Sequence, residues 1–222
     1  DDISKGDVKD AKKLDAPKRN QAKGYSLGVA YGMSSYALAM SLGVTQDEGK
    51  RLHAGYMEGF PGVAQWIDNS RALFKKNGYI KNEVGRIRHL QRGKAVYDAF
   101  GERIMDWKFR NELTKQVGGE EVKRLYGDYK NALNNCLNFQ IQSLAASVVN
   151  RAALAINREL KRRGWEGRVI AQIHDQLIIK VREELVYEAA EVIKHIMETT
   201  TKLPGVTLKA PPEIAKNFRD GH

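Results

Sequence analysis

Residues 169–181 read VIAQIHDQLIIKV, and this stretch decides the class of fold. Eight of the thirteen residues are apolar, and the polar residues His174, Asp175 and Gln176 stand together in the middle. Two apolar runs around a polar apex predict a pair of short strands joined by a turn. Because helical patterns precede and follow this hairpin, the sequence predicts an α+β fold.

The flanking sequence predicts several helices and a second, smaller hairpin. An apolar pattern with helical period runs from about 128 to 163 and stops at Gly164, a residue type common just after a helix end. Thr45 and Glu48 form a capping box that opens another helix. The remaining predicted elements are one long helical stretch or two helices in line over 19–42, helices over 60–78 and 182–201, the hairpin over 79–90 and a strand at 206–208.

The composition bounds the class of protein. The chain has 222 residues, of which 42% are hydrophobic and 29% charged, enough to bury a core without disulfides or metal staples. No stretch is both long and apolar enough to span a bilayer, which excludes a membrane-spanning protein. The single cysteine, Cys136, excludes a disulfide framework and a cysteine zinc site, and it fits a reducing compartment.

The chain is basic, and the excess charge is localised. It has 37 Lys and Arg against 27 Asp and Glu, a formal net charge of +10, which favours polyanionic partners and nucleic acid first. Residues 71–130 hold 15 Lys and Arg against 8 Asp and Glu. Charge alone leaves open a generically basic soluble protein, but the clustering predicts a basic face.

Four residues near the N-terminus are spaced to share one helical face. Arg19, Lys23, Leu27 and Tyr31 stand four residues apart, so they form a stripe roughly 18 Å long on a helix. Two cations near a helix start, where backbone N–H groups already attract anions, suit a phosphate chain. An aromatic ring two turns further along suits a base. The alternative is helix packing with a solvated basic end.

A second stripe on the same helical stretch consists of glycines. Gly24, Gly28 and Gly32 also stand four residues apart, and each costs about 1 kcal/mol of helix stability relative to alanine. The stripe predicts that something approaches this helix closely, either a ligand or a packed helix.

Two further pairs of residues have side chains that suit a metal-binding or nucleic-acid-binding site. A carboxylate such as Asp175 at the tip of a hairpin suits a hard cation such as Mg²⁺, although an exposed turn is the simpler explanation of His174 and Asp175 taken alone. Asn138 and Gln142 lie one helical turn apart, and their amides suit contacts with base edges in the minor groove. Buried structural hydrogen bonds are the alternative for this pair.

Taken in order, these segments resemble the motifs of family A DNA polymerases, the bacterial DNA polymerase I-like enzymes. Residues 19–23 and 28–34 resemble the fingers motif Arg-x3-Lys-x7-Tyr-Gly. Other matching segments are Gly59-Phe60-Pro61-Gly62-Val63, Asn138-x3-Gln142, Gln172-Ile173-His174-Asp175 and a tail ending in Asn217-Phe218-x3-His222. The resemblance covers residues 19–90 and 134–222.

The resemblance implies mostly helical fingers plus part of a palm with a short antiparallel β-hairpin. The implied divisions are a lead-in over 1–18, fingers over 19–133 with a basic helical insertion at about 91–133, and a palm portion over 134–222. The implied activity is template-directed DNA synthesis in an intracellular compartment, cytoplasm or nucleoid, with primer-template DNA and dNTP as partners.

The resemblance also assigns roles to the candidate residues. Arg19 and Lys23 would bind the incoming triphosphate, with Lys23 protonating pyrophosphate, while Leu27 would face the sugar and Tyr31 the nascent base pair. Asp175 would be one of two aspartates that hold two Mg²⁺ ions, with Mn²⁺ as an alternative. The residues implied to hold the primer-template are Gly32, Asn138, Gln142 and His174.

The departures from the family pattern define what is missing. The family's other metal aspartate sits in an upstream Asp-Tyr-Ser-x-x-Glu segment, which these 222 residues lack. One carboxylate does not clamp two ions, so the chain alone is expected to be inactive. The expectation is a split polymerase whose second polypeptide carries that motif, the thumb and any exonuclease domain; a cleavage product or truncated piece is the rival.

Smaller departures concern three side chains. Leu27 stands where the family usually has Phe or Tyr, Gln176 where a glutamate is usual, and Asn134 where an arginine is common. Such changes also suit a non-catalytic DNA-binding or scaffolding protein derived from a polymerase fold. A basic helical module that binds an acidic protein is the third class of hypothesis.

Overall fold

The structure is a computed structural model that describes residues 16–217, 219 and 220. Most of the predicted lead-in, together with Phe218 and His222 of the C-terminal motif, lies outside these residues. The described chain is mainly helical, with two small antiparallel strand pairs, and the predicted α+β class is confirmed.

The described residues divide into two compact units. The first unit consists of the described residues up to Lys81 together with Ile87–Gln140, and the second consists of Asn82–Arg86 together with the described residues from Ile141 onward. The predicted division into fingers over 19–133 and palm over 134–222 stays a prediction.

The first unit is built mainly from helices. Its elements are α1 (Ala16–Ala30), α2 (Ser35–Leu42), α3 (Gln46–Gly59), α4 (Pro61–Asn77), β1 (Tyr79–Lys81), β2 (Ile87–His89), α5 (Gln91–Phe100), a 3₁₀ turn at Gly101–Met105, α6 (Trp107–Val117) and the first half of α7 (Gly119–Arg162). The helical stretch predicted over 19–42 is therefore two helices, and the chain turns at Gly32, where φ is +87°.

Local signals set several helix ends as predicted. The Thr45 hydroxyl accepts a hydrogen bond from the Glu48 amide at 3.2 Å and caps α3. Pro61 occupies the first turn of α4, where its missing N–H costs nothing. Gly78 ends α4 in the left-handed conformation, with φ at +70°.

Residues 91–133, the segment expected to be an insertion, contribute side chains to the core of the first unit. Phe74 of α4 and Tyr129 of α7 are fully buried, with ring centroids 6.3 Å apart. The segment over 91–133 adds several buried side chains to this cluster, namely Val96, Ile104, Leu113, Val122, Tyr129 and Ala132. This segment is therefore structural, because it supplies apolar surface that the rest of the unit packs against.

The second unit combines one half of the long helix with a hairpin and a further helix. Its elements are the C-terminal half of α7, β3 (Gly167–Ile173), β4 (Gln176–Val181), a 3₁₀ turn at Glu183–Leu185 and α8 (Val186–Thr199). The strands β3 and β4 are antiparallel, with Ile173 opposite Gln176, so His174 and Asp175 form the two-residue turn as predicted.

Three predicted boundaries differ from the structure. The long helix begins at Gly119 and not at about 128. The charged segment before 128 has only a weak apolar pattern, so its sequence did not indicate a helix. The helix predicted over 182–201 is the 3₁₀ turn followed by α8. The strand predicted at 206–208 is only an isolated bridge between Leu203 and Val206.

Candidate nucleotide and nucleic-acid site

Helix α1 presents the predicted nucleotide-binding residues to solvent. Arg19 and Lys23 are exposed, and the Leu27 side chain is 46% exposed. Tyr31, directly after the helix, is half-buried, and its amide still donates to the Leu27 carbonyl at 2.9 Å. The predicted stripe is thus a surface that begins with two cations and continues with apolar groups.

Contacts elsewhere on α1 fix this orientation. The Tyr25 hydroxyl donates to the Leu52 carbonyl at 2.7 Å, and the Tyr25 ring meets Tyr56 edge-on at 5.6 Å between centroids. Val29, one turn beyond Tyr25, is fully buried. These contacts hold α1 against α3 and leave the Arg19 and Lys23 side chains outside.

The three glycines of α1 and its end serve different purposes. A Cβ at Gly28 would lie 2.6 Å from the Met33 methyl carbon, and one at Gly32 would lie 2.9 Å from Leu137 Cδ1. A Cβ at Gly24 would meet no atom within 4 Å. The expected close approach is therefore made by the protein itself at Gly28 and Gly32, while the surface over Gly24 is open.

The predicted primer-template residues lie on α7 and at the β3–β4 turn. Asn138 is half-buried, and its Oδ1 atom is buried without a hydrogen-bond partner among the described residues. Gln142, one turn later, is exposed. An amide oxygen without a partner is unusual for the structural role that the sequence left open, because buried polar atoms are normally hydrogen-bonded.

The turn of the β3–β4 hairpin exposes both of its predicted functional residues. His174 and Asp175 are exposed, and His174 has a φ of +53°, in the left-handed region that favours glycine. The Gln172 side-chain amide donates to the His174 carbonyl at 3.2 Å across this turn. The conformation keeps the Asp175 carboxylate at the tip of the hairpin.

The described residues hold one candidate metal ligand but no complete metal site. Within 16–217, 219 and 220 there is no group of three His, Cys, Asp or Glu side chains placed to bind an ion. Mg²⁺ in nucleotide sites usually takes one or two protein carboxylates and completes its shell with water and phosphate. Asp175 fits that role as a single ligand, and two ions would need a carboxylate from elsewhere.

The excess positive charge lies in a smaller segment than expected. Residues 71–94 carry eight Lys and Arg against one acidic residue, whereas 95–130 carry seven of each. The charge therefore maps to the last turns of α4, the β1–β2 hairpin and the start of α5. The segment over 91–133 is not in itself strongly basic, and its Lys94 pairs with Asp98 at 2.6 Å.

Cys136 takes no part in this chemistry. It is fully buried, and burial raises the pKa of its thiol to about 11, so the thiol is protonated and unreactive at neutral pH.

Among the described residues no helix combines the length and apolar content that crossing a membrane requires.

The family model of DNA polymerase family A matches residues 4–220. The chain belongs to this family. The match confirms the resemblance found in the motifs, and it runs through residues 91–133 as well.

Two curated relatives match this family A chain over most of its length. It is 28% identical over 204 residues to DNA polymerase I of Pseudomonas aeruginosa, covering 92% of this chain and 19% of the relative. It is 26% identical over 200 residues to DNA polymerase I of Geobacillus stearothermophilus, covering 90% of this chain and again 19% of the relative. The chain thus spans about a fifth of the length of the curated relatives it matches.

A solved structure of similar shape is a polymerase domain. The POL domain of Pol1 from M. smegmatis, in complex with DNA primer-template and dNTP, matches with a TM-score of 0.66 and 26% sequence identity. The match covers 86% of this chain and 29% of that domain.

Proposed function

We propose that this chain forms the fingers and part of the palm of a template-directed DNA polymerase and binds the incoming dNTP on the exposed face of α1. The observation that carries the proposal is the arrangement of Arg19, Lys23 and Leu27, which share one solvent-facing surface. The family match over residues 4–220 and the dNTP in the similar Pol1 domain support it.

The cations of α1 suit the chemistry of nucleotidyl transfer. Phosphoryl transfer depends mainly on positioning and on neutralising phosphate charge, which two adjacent cations near a helix N-terminus provide. Arg19 and Lys23 hold the triphosphate in this proposal, and the Lys23 ammonium donates a proton to the departing pyrophosphate. Leu27 then faces the sugar, and Tyr31 the base pair being formed.

Asp175 is proposed as a ligand of the catalytic Mg²⁺, or of Mn²⁺ in its place. A bound ion would neutralise charge on the reacting phosphate, and two ions would do so on both the attacking and leaving oxygens. The second carboxylate is proposed to come from another polypeptide, which also carries the thumb and any exonuclease domain. The 222 residues by themselves are then expected to be inactive.

Contacts with primer-template DNA are proposed for Gly32, Asn138, Gln142 and His174. The amides of Asn138 and Gln142 offer donors to the acceptors that every base pair presents in the minor groove. Such contacts hold DNA independently of its sequence, as a polymerase requires. The buried Oδ1 atom of Asn138 has no partner within the described residues, so no internal hydrogen bond through that atom holds the amide away from DNA.

Nucleotide binding is tested by thermal shift. A dNTP with Mg²⁺ should raise the melting temperature of the chain, because a ligand that binds only the folded state stabilises it by mass action. Lys23→Ala should remove most of that shift. Lys76→Ala changes an exposed lysine of α4 and is the matched control, whose shift should equal that of the unchanged chain. An equal shift in both variants would contradict nucleotide binding on α1.

Polymerase activity is tested by primer extension. The chain alone should extend no primer, and mixing it with a polypeptide that contains the upstream aspartate strand should restore extension. Asp175→Asn should abolish the restored activity. Extension by the 222 residues alone would refute the need for a partner, and extension by the Asp175→Asn mixture would refute its metal role. DNA binding without either nucleotide binding or extension would instead support a non-catalytic DNA-binding protein.

A further inference from the structure

Arg71 of α4 is a half-buried cation whose hydrogen-bonding capacity is unused. Its Nε atom is buried and has no hydrogen-bond partner among the described residues, and the guanidinium forms no ion pair with them. The charge is close to two buried groups, since it opposes the rise in pKa that burial causes at Tyr129 and Cys136. A buried charge without a counter-ion is costly, so this arrangement suits a group that gains its partner on binding.

The next cation on the same face of α4 has interaction partners within the protein. Lys75, one turn after Arg71, pairs with Glu102 and lies 5.7 Å from the centroid of the Tyr97 ring. It therefore has both a counter-ion and an aromatic surface within the protein. Both cations lie on α4, one turn apart. Neither the helix nor the spacing explains why Lys75 has a counter-ion among the described residues and Arg71 has none.

The guanidinium of Arg71 lies beside Gly32, and the absence of a side chain there leaves room next to the charge. A Cβ at Gly32 would lie 3.3 Å from Arg71 Nη2. The φ of +87° at Gly32 also favours glycine, so the chain turns away here without placing a side chain over the charge. All of these residues belong to the first unit.

We infer that Arg71 binds a phosphodiester oxygen of a DNA strand that passes over Gly32 at the end of α1. This inference rests on the proposed function, in which Gly32 faces the primer-template. A planar guanidinium with free N–H groups matches the two non-bridging oxygens of a phosphodiester.

The ligand is a strand and not the triphosphate held at the start of α1. Helix α1 rises about 10 Å between Lys23 and its end at Ala30, and Gly32 lies beyond that end. One triphosphate bound by Arg19 and Lys23 does not extend over that distance to Arg71. A polynucleotide, which carries a phosphate at every residue, does.

The test is the salt dependence of DNA binding by the 222-residue chain. Fluorescence anisotropy with a labelled primer-template duplex, and separately with a single strand, gives the slope of log Kobs against log salt. Each lost phosphate contact should reduce the slope by about 0.9 for duplex or about 0.7 for single-stranded DNA. Arg71→Met keeps the unbranched stem, and it should reduce the slope by one such step and weaken binding about tenfold at low salt.

Two further variants separate binding from folding. Arg71→Lys should keep the slope while losing affinity, because it retains the charge without the planar fork. Lys75→Met removes the neighbouring paired cation and should leave the slope unchanged. The free Arg71→Met protein should melt no lower than the unchanged chain, and its dNTP-induced thermal shift should be retained.

The outcomes distinguish this inference from the proposed function. If the unchanged chain binds DNA and Arg71→Met has the same slope, the Arg71 contact is refuted and the polymerase proposal stands. The same slope together with a lower melting temperature would assign Arg71 a structural role and likewise refute the contact. If the unchanged chain binds no DNA at either low or high salt, both proposals fail.

Discussion

The core of the first unit and the β3–β4 hairpin of the second bury their apolar residues to different degrees. In the first unit, large side chains such as Phe74, Ile104 and Tyr129 are completely buried. In the second, neither strand of the β3–β4 hairpin contains a fully buried residue, and Ile170 is 53% exposed at the irregularity between Val169 and Ala171.

The apolar content of a segment and the burial of its side chains are therefore separate properties. A helical unit surrounds its core with amphipathic faces, whereas a two-stranded hairpin covers its apolar faces only where other elements pack on them. The first core should therefore resist unfolding more than the hairpin, and mutations in the two should have unequal costs.

The largest expected effect is in the first core. Phe74→Ala should destabilise its unit by about 3–5 kcal/mol, because it removes a fully buried ring and leaves a cavity. Ile179→Ala in β4 should cost about 2 kcal/mol, because the side chain it removes is already partly exposed. Hydrogen exchange followed peptide by peptide gives the opening free energy of each unit. Equal losses in the two units would contradict the comparison.

An intermediate effect is expected from a buried polar residue of the second unit. The Asn82 side chain accepts from the Val84 and Arg86 amides at 3.1 and 2.9 Å and donates to the Ser143 hydroxyl at 2.8 Å. Asn82→Ala leaves these groups without partners and should cost about 2 kcal/mol. Asn77→Ala, at an exposed position of α4, is the matched control in chemical denaturation. A cost no larger than that of the control would show that the turn does not depend on this side chain.

The smallest expected effect is an acid sensitivity of the second unit. Hydrogen bonds from Arg162, and then from Arg163, lower the pKa of Glu159 to about 2. The carboxylate therefore stabilises the folded state fully above its ordinary pKa near 4.5, and this contribution disappears as the pH falls through about 2.

Glu159→Gln should flatten the loss of stability in this acidic range. Glu58→Gln on α3, which forms no ion pair among the described residues, is the control. Hydrogen exchange in peptides of the second unit between pH 5 and 2 measures the effect. If Glu159→Gln leaves the pH profile of stability unchanged, the hydrogen bonds of Glu159 with Arg162 and Arg163 contribute nothing to stability.

Much of the candidate site was accessible from spacing alone. Residues four apart on a helix share a face whatever surrounds them, so the exposed stripe of Arg19, Lys23 and Leu27 could be predicted. A polar pair between two apolar runs likewise predicted the turn at His174 and Asp175. These patterns are local, and neighbouring residues alone determine them.

Other features of the site depended on contacts between distant residues. The amphipathic pattern of α4 gives no signal that Arg71 lies near Gly32, 39 positions earlier, or that no counter-ion accompanies it. The segment over 91–133 was expected to be a basic insertion, yet its apolar residues form part of the first core. The long helix extends nine residues beyond its predicted start, since packing of Val122 stabilises a segment with weak helical periodicity.

The amino-acid sequence by itself determined the caps, the turns, the hairpins and the membership of family A, because each depends on residue types at short, regular spacings. Only the tertiary structure decided which cations have counter-ions, which glycines are closely approached and which helices make the core. Those properties depend on pairs of groups far apart along the chain, and no local pattern encodes the distance between them.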